Sequence, residues 1–542
     1  MTTMTAPRPT DTTLAALLAR HATERPGQSA FVEGEASLDF AALELASRRL
    51  AAGLAGLGIG TGDRVALWLP NGLAYVILFL ACARLGACAV SVNTRFRAVE
   101  VGELMRRSGA RALAYHPGFQ HIDFDGILSE VAPQALAGLA HLVAVGENAG
   151  RAVSTPPVPG CAVARYDELG AAPPLDAPTA RDESPAVIFT SSGTTRAPKL
   201  ILHSQKTLSD HAQAVATAFG LDADGAATLQ MVPLSGVYGF SQMMAALAGG
   251  APNILMPAFD ATEAVALIER HAVTHLVSTD LQCVRLLDEA EAARPFPSLR
   301  FAGFSAFTPS ITDLVAQGDA RGVPFVGLYG SSEIQALFAA QAPGDPPEQR
   351  ARTGGRPVSP EAQVRVRDIE TDALLPVGET GELEFSGPSR MLGYDRDDAA
   401  SAEAITTDGF VKSGDLGHLE ADGRFVFLTR RGDVMRLGGF LVNPAEIEAH
   451  IQALPGIEGC QVVAVERPGG ARAVAFVVMA GGMPLDFRAL RSHCLKGLAK
   501  YKLPKHFIAL DAFPMTRGAN GLKVQRTRLR EMAEAASRGR SR

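Results

Sequence analysis

Val187-Ile-Phe-Thr-Ser-Ser-Gly-Thr-Thr-Arg-Ala-Pro-Lys199 sets a short apolar run directly against six residues that are all Thr, Ser or Gly. The run reads as a buried strand. The small residues after it let backbone N–H groups converge on one anion, and their hydroxyls add further donors. Pro198 stiffens the exit and Lys199 supplies a positive charge. A plain polar turn is the bland alternative, but it has no need of five hydroxyls and a lysine straight after a buried strand. The stretch therefore predicts an α/β sheet with an anion cradle at the end of one strand.

The composition around this loop is that of a folded protein. The chain has 542 residues, 47% hydrophobic and 20% charged, with 54 Gly and 34 Pro. This length allows three or four packing units. The net charge of −6 excludes a globally basic nucleic-acid binder. Between Leu495 and Arg542, however, twelve Lys and Arg face three Asp and Glu. That basic end is either a solvated, fraying tail or a unit that meets an anionic substrate. Cys82, Cys88, Cys161, Cys283, Cys460 and Cys494 form no CxxC pair, so zinc and a disulfide framework are not indicated. A reducing, cytoplasmic setting is expected. The start, MTTMTAPRPTDTT, lacks the apolar core of a signal peptide. The most apolar stretch, Ala74–Val92, carries Arg84 and Gly86, and reads as a buried helix and strand rather than a membrane span.

Outward from the loop, helical and strand-like patterns alternate. Thr12–Ala22, Leu43–Leu57, Ala74–Leu85 and Ala261–His271 have helical spacing. Arg64–Leu69, Ala87–Val92, Gly249–Met256 and His275–Ser278 read as strands. Such alternation predicts a parallel sheet with helical crossovers. Arg151–Asp182, rich in Pro and Ala, reads as a surface connection. After about Phe385 short strands take over, and beyond Asp433 the chain reads as a compact α+β unit of roughly a hundred residues.

Several motifs in one order resemble the adenylate-forming (AMP-binding) superfamily, which includes acyl-CoA synthetases, luciferases and peptide-synthetase adenylation domains. SSGTTRAPK is similar to its phosphate loop, usually TSGTTGxPKG, and differs from the GxxxxGK[ST] loop. Asn93-Thr-Arg-Phe-Arg97, Leu328-Tyr-Gly-Ser-Ser-Glu333, Gly414-Asp415 with Asp422-Gly423 and Arg430, Val442-Asn-Pro-Ala-Glu-Ile-Glu448, Leu498-Ala-Lys-Tyr-Lys-Leu-Pro504 and Gly521-Leu-Lys523 follow in register. The resemblance covers nearly the whole chain. It implies a large N-terminal domain (1–431) of α/β layers with a small β-rich subdomain, and a small mobile α+β C-terminal domain (432–542).

The implied reaction joins a carboxylic acid to ATP as an acyl-adenylate, releases pyrophosphate, and transfers the acyl group to the thiol of CoA. Charge crowds at the α-phosphorus, so the chemistry asks for cations and donors more than for a nucleophile. By resemblance Lys523 is the catalytic residue. Ser191, Ser192, Gly193, Thr194, Thr195 and Lys199 hold the β- and γ-phosphates. Glu333 with Thr195 holds Mg²⁺, an ion suited to oxygen ligands. Tyr329 and Gly330 border the adenine, Ser305 and Ala306 form its wall, and Ser332 donates near the α-phosphate. Asp415 accepts from the ribose and Arg430 supports it. Gly432 is the hinge about which the small domain turns, and Gly439 lines the tunnel for the CoA thiol.

Departures from the pattern mark what is particular to this chain. Arg196 replaces a glycine of the loop, and either contacts phosphate or faces solvent. Leu200 replaces a second glycine. Gly432 stands where Asp or Lys is usual. Pro233-Leu-Ser-Gly-Val-Tyr-Gly239 replaces PLFHxxG, so Ser235 and Gly236 widen the acid pocket or Tyr238 fills it. Asp280 is either a buried carboxylate that binds a polar group of the acid or the N-cap of a Leu281–Leu287 helix, and the N-cap is favoured. Three functions stand side by side. They are an acyl- or aryl-CoA ligase, an adenylating enzyme serving a carrier-protein thiol or a nucleophile such as an amine or nitrite, and a non-catalytic nucleotide binder. The expected partners are ATP, the acid and a thiol, with no nucleic acid and no membrane span. The identity of the acid is open, and a homodimer is the commonest soluble assembly.

Overall fold

The computed structural model describes residues 12–120, 122–190, 199–308, 311–433, 435–437, 440–466, 471–482, 486–498, 502–518 and 521–538. Two large sheets dominate it, one of 13 strands and one of 8. In the smaller sheet Pro185–Thr190, Cys88–Ser91, Arg64–Trp68, Ala112–Tyr115, His141–Ala144 and Ala162–Arg165 run parallel. Leu200–Ser204 then returns antiparallel along Pro185–Thr190, with Thr190 opposite Leu200. Residues 191–198 therefore connect two neighbouring strands of one sheet. The larger sheet sets Thr228–Gln230, His275–Thr279, Phe301–Ser305 and Phe325–Tyr329 parallel to one another. Its far half is antiparallel and includes Gly381–Ser386, Val411–Leu419 and Phe425–Arg430.

Between the two sheets lie helices that are apolar all round. Every residue from Tyr75 to Leu85 in the helix Leu73–Leu85 is buried, as is every residue of Val237–Gly249. A helix covered on all sides has no polar stripe, which is why the Ala74–Val92 stretch looked uniformly apolar. Arg84 ion-pairs there with Glu44, and this contact satisfies the one charge the buried helix carries. The fold is the expected α/β arrangement with a β-rich portion and a small C-terminal α+β unit. That unit pairs Ile457–Val465 with Arg472–Met479 and adds His506–Ala509 in parallel. Among the described residues, each hydrophobic cluster lies wholly on one side of residue 431.

Several expected elements shift. Arg151–Asp182 is not a bare connection, because Ala162–Arg165 adds an edge strand and Tyr166–Gly170 a short helix. The strand is mostly half-exposed, so it lacks the apolar alternation that would have announced it. Gly249 ends a helix rather than starting a strand. Gly250 at φ 77° caps that helix, and the strand begins at Asn253. Thr279, not Asp280, is the N-cap of the next helix; its hydroxyl accepts from the Gln282 N–H and the helix runs Asp280–Glu289.

Candidate active site

Parallel strands gather functional groups at their C-terminal ends, where the crevices of α/β sheets bind ligands. Tyr329 closes the Phe325–Tyr329 strand, and Ser305 closes Phe301–Ser305. Asp415 and Arg430 face each other across the antiparallel pair Val411–Leu419 and Phe425–Arg430. The Tyr329 hydroxyl donates to Asp415 Oδ2 at 2.6 Å, and Arg430 Nε lies 2.7 Å from Asp415 Oδ1. Burial pushes the Asp415 carboxyl up, the Arg430 charge and the Tyr329 hydroxyl draw it back down, and Glu333 raises it again. Three Phe rings, 385, 425 and 427, surround the Tyr329 ring. A buried carboxylate held in place by a phenol and a guanidinium presents a fixed acceptor to any hydroxyl-bearing ligand.

A second group lies beside it. Lys199 Nζ donates to the Tyr394 hydroxyl at 3.2 Å and stands 4.3 Å from the centre of that ring. The same hydroxyl donates to Glu333 Oε1 at 3.3 Å. Tyr394 thus links the lysine at the loop exit to the expected metal carboxylate. The sequence reading missed it. The signal was Gly393-Tyr394, a two-residue strand that pairs with Leu200–Ser204, the strand leaving the loop. The Tyr394 N–H also bonds the Ser401 hydroxyl at 2.8 Å, which fixes the backbone. Burial first, then Glu333, pushes the Tyr394 phenol up, so it is a hydroxyl and not a phenolate at neutral pH.

The turn carrying Ser331, Ser332 and Glu333 is itself braced. His203 lies in the strand Leu200–Ser204 and donates from Nε2 to the Ser332 carbonyl at 2.8 Å. Its neutral state follows from burial, which holds the imidazole down at about 4. Gln335 and Leu337 adopt φ 61° and φ 64° just beyond. Such left-handed conformations in non-glycine residues store strain, and they cluster at functional sites. Gln335 is buried and its amide bonds the Thr207 carbonyl at 2.8 Å, which holds the strained turn.

On the acid side, the Asp280 carboxylate is spoken for. It accepts from Phe307 N at 2.9 Å, Thr308 N at 2.6 Å, Thr308 Oγ1 at 3.1 Å and Leu281 N at 2.8 Å. It fixes the turn that follows Ser305 and Ala306. Tyr238, in the first turn of Val237–Gly249, donates to the Ser278 carbonyl at 2.8 Å and is hydrogen-bonded by Ser305. Gly236 is the N-cap of that helix and Ser235 lies half-buried before it. Asn71 was also missed. Its amide bonds the Val232 and Met256 carbonyls at 3.1 and 3.0 Å, and its carbonyl accepts from Leu234 N at 2.7 Å.

The structure therefore brings together Lys199, Glu333, Tyr329, Asp415 and Arg430, with Gly330 and Ser332 on the connecting turn, and sets Ser305 at a strand end near Tyr238 and Asp280, each in the first turn of a helix. Ser191, Ser192, Gly193, Thr194, Thr195, Arg196 and Gly439 lie outside the described residues. Lys523 is on the strand Gly521–Val524, opposite Thr516 in a hairpin. Gly432 is exposed, and its carbonyl accepts from Arg530 at 2.8 Å. Glu333, half-buried beside serine hydroxyls, fits a hard cation such as Mg²⁺. Among the described residues no group of three or more His, Cys, Asp or Glu could hold a metal.

The chain is similar to known proteins along most of its length. The profile of the AMP-binding enzyme family matches residues 18–395, and that of the AMP-binding enzyme C-terminal domain matches residues 446–520. The chain belongs to the AMP-binding enzyme family, and it is an adenylate-forming ligase. It is 30% identical to sulfoacetate–CoA ligase of Cupriavidus necator, over 95% of this chain and 97% of that one. It is 31% identical to pyochelin synthase PchD of Pseudomonas aeruginosa, over 97% and 94%. Among solved structures, o-succinylbenzoate CoA synthetase of Bacillus subtilis in complex with its acyl-adenylate intermediate is similar at 25% identity, with TM-score 0.78, covering 95% of this chain and 97% of that one.

Proposed function

We propose that this protein condenses a carboxylic acid with ATP to an acyl-adenylate, releasing pyrophosphate, and then passes the acyl group to the thiol of CoA. The observation that carries this reading is the pairing of two groups at the strand ends: Tyr329–Asp415–Arg430, suited to a nucleoside, and Lys199–Tyr394–Glu333, suited to its phosphates. The match to CoA ligases over nearly the full length of the chain supports the acceptor.

In the first step the acid's carboxylate oxygen attacks the α-phosphorus and the bond to pyrophosphate breaks. In this reading Asp415 orients the ribose by accepting from its hydroxyls, and Tyr329 and Arg430 keep that carboxylate in place. Lys199, with Ser191, Ser192, Gly193, Thr194 and Thr195, takes the outer phosphates. Glu333 would hold Mg²⁺, which supplies charge neutralisation when bound. Lys523 contributes a point charge to the oxygens at the reacting phosphorus. In the second step the thiol sulfur attacks the acyl carbon and AMP leaves. We assign the movement between the two steps to a rotation of residues 432–542 about Gly432. The separation of hydrophobic clusters at residue 431 supports that boundary. Glycine permits the backbone change, and nothing lies within 4 Å of a Cβ built there.

Among the described residues no helix is long and apolar enough to cross a membrane. All six cysteines are buried and unpaired, which favours a reducing, cytoplasmic setting. A homodimer remains part of the proposal on general grounds alone. A second reading, delivery to a carrier-protein thiol or another nucleophile, is favoured by the similarity to the pyochelin synthase. Pyrophosphate release measured with and without CoA across a panel of acids tests both. A CoA thioester product supports the ligase. Adenylate that accumulates until a carrier protein or amine is added supports the alternative.

A further inference from the structure

We propose that Glu448 and Arg526 are positioning residues for Lys523, because together they fix the base of the hairpin that carries the lysine; this rests on the role given to Lys523 above. Lys523 is on the strand Gly521–Val524, which pairs antiparallel with Met515–Gly518. A two-stranded ribbon is marginal by itself, so its direction must be set from outside. Three residues beyond the lysine, at most about 10 Å along the chain, Arg526 opens the helix Arg526–Arg538. Its Nη2 donates to Glu448 Oε1 at 2.9 Å and Oε2 at 3.2 Å, and its Nη1 donates to the Val462 carbonyl at 3.2 Å. Glu448 Oε1 also accepts from the Val462 N–H at 2.8 Å. These contacts close a ring. It joins the helix Pro444–Gln452, the strand Ile457–Val465 and the chain leaving the hairpin.

The joint admits one geometry. Glu448 is 3% exposed, and a carboxylate so buried needs its cation. The cation must be a planar fork, because it serves the carboxylate and the carbonyl at once. Next to it, Gln525 ties down the other strand. Its N–H donates to the Pro514 carbonyl at 2.8 Å, and its side-chain amide donates to the Met515 carbonyl at 3.2 Å. Leu529 and Ala533 of the following helix are buried against Val463, Val465, Val474 and Phe476, and Val524 packs on the same cluster. Apolar burial holds that helix to the domain but is non-directional. The forked ion pair supplies the direction. On a lever of about 10 Å, a turn of about 6° shifts the backbone at Lys523 by about 1 Å, and a shift of that size at a reacting centre can cost about a hundredfold in rate.

The test measures both half-reactions of Glu448→Gln and Arg526→Lys in the full chain. The acid is whichever of propionate, benzoate, hexanoate and decanoate the wild type activates best. Glutamine keeps the acceptor for Val462 and loses the charge; lysine keeps the charge and loses the fork. In each variant the kcat of acid-dependent ATP–pyrophosphate exchange is expected to fall about tenfold, with KM for ATP unchanged. Thioester formation from supplied acyl-adenylate and CoA should persist at the wild-type rate. In a Lys523→Ala background, Glu448→Gln should cost exchange nothing further, since it acts through the lysine. Unchanged exchange in both variants, an equal loss in both half-reactions, or a full tenfold loss in the Lys523→Ala background each overturns the positioning role. If the glutamine variant fails to fold, the same measurements on Arg526→Lys, alone and with Lys523→Ala, decide it. A wild type that exchanges with none of the four acids overturns the adenylate-forming reading and the positioning role with it. A wild type that exchanges while both variants match it overturns the positioning role alone.

Discussion

Removing one oxygen at Tyr394 separates its two contacts. The hydroxyl keeps the Lys199 ammonium and the Glu333 carboxylate joined through an intermediary, at 3.2 and 3.3 Å, instead of in direct contact. In Tyr394→Phe the two charges can pair directly, and a cation must then compete with the lysine for Glu333. A part-buried pair of this kind contributes about 1 kcal/mol, so the Mg²⁺ concentration giving half-maximal ATP–pyrophosphate exchange should rise about fivefold. An unchanged Mg²⁺ midpoint contradicts the role given to the hydroxyl. The motifs around Glu333 and Asp415 singled both residues out in the sequence, and the structure sets them against Tyr394 and Tyr329, whereas nothing local singled out Tyr394. Its work depends on a strand pairing with a segment almost two hundred residues earlier, and no local spacing records that. Asp280 shows the converse. A lone acidic residue before a helix reads as a cap, yet the adjacent Thr279 caps and the carboxylate reaches across to Phe307 and Thr308.

Elements with strong periodicity were readable, and those at sheet edges were not. The helix Leu73–Leu85 and the strand Arg64–Trp68 lie within a residue of their expected bounds, because burial on every side leaves an unbroken apolar signal. The edge strand Ala162–Arg165 has no such signal. The segment before Tyr238 depends on an asparagine far away in sequence. Asn71→Ala leaves the buried Met256 carbonyl and the Leu234 N–H without this partner, while Gln230 still bonds the Val232 carbonyl, and is expected to cost about 2 kcal/mol of unfolding free energy. Urea denaturation measures this directly; a loss under about 0.5 kcal/mol contradicts the claim that Asn71 anchors the segment.

For the whole molecule, buried histidines tie stability to pH. Burial holds His203 and His211 down at about 4, each with Nε2 donating to a backbone carbonyl. In the unfolded chain both titrate near the ordinary histidine value of 6.5. Between these values the unfolded state binds protons that the folded state does not, so stability is lost as pH falls from about 6.5 towards 4, by roughly 3 kcal/mol per histidine over the full interval. Denaturation midpoints that stay level between pH 7 and pH 5 contradict this. The two-step account of the reaction also belongs at this scale, since it needs a hairpin near the C-terminus to serve a site built by residues far earlier in the chain. Lys523→Ala measured in separate half-reactions tests that most directly. The account predicts that acid-dependent ATP–pyrophosphate exchange falls by at least about a hundredfold while thioester formation from supplied acyl-adenylate and CoA persists. Exchange that survives the substitution, or an equal loss of both halves, contradicts it.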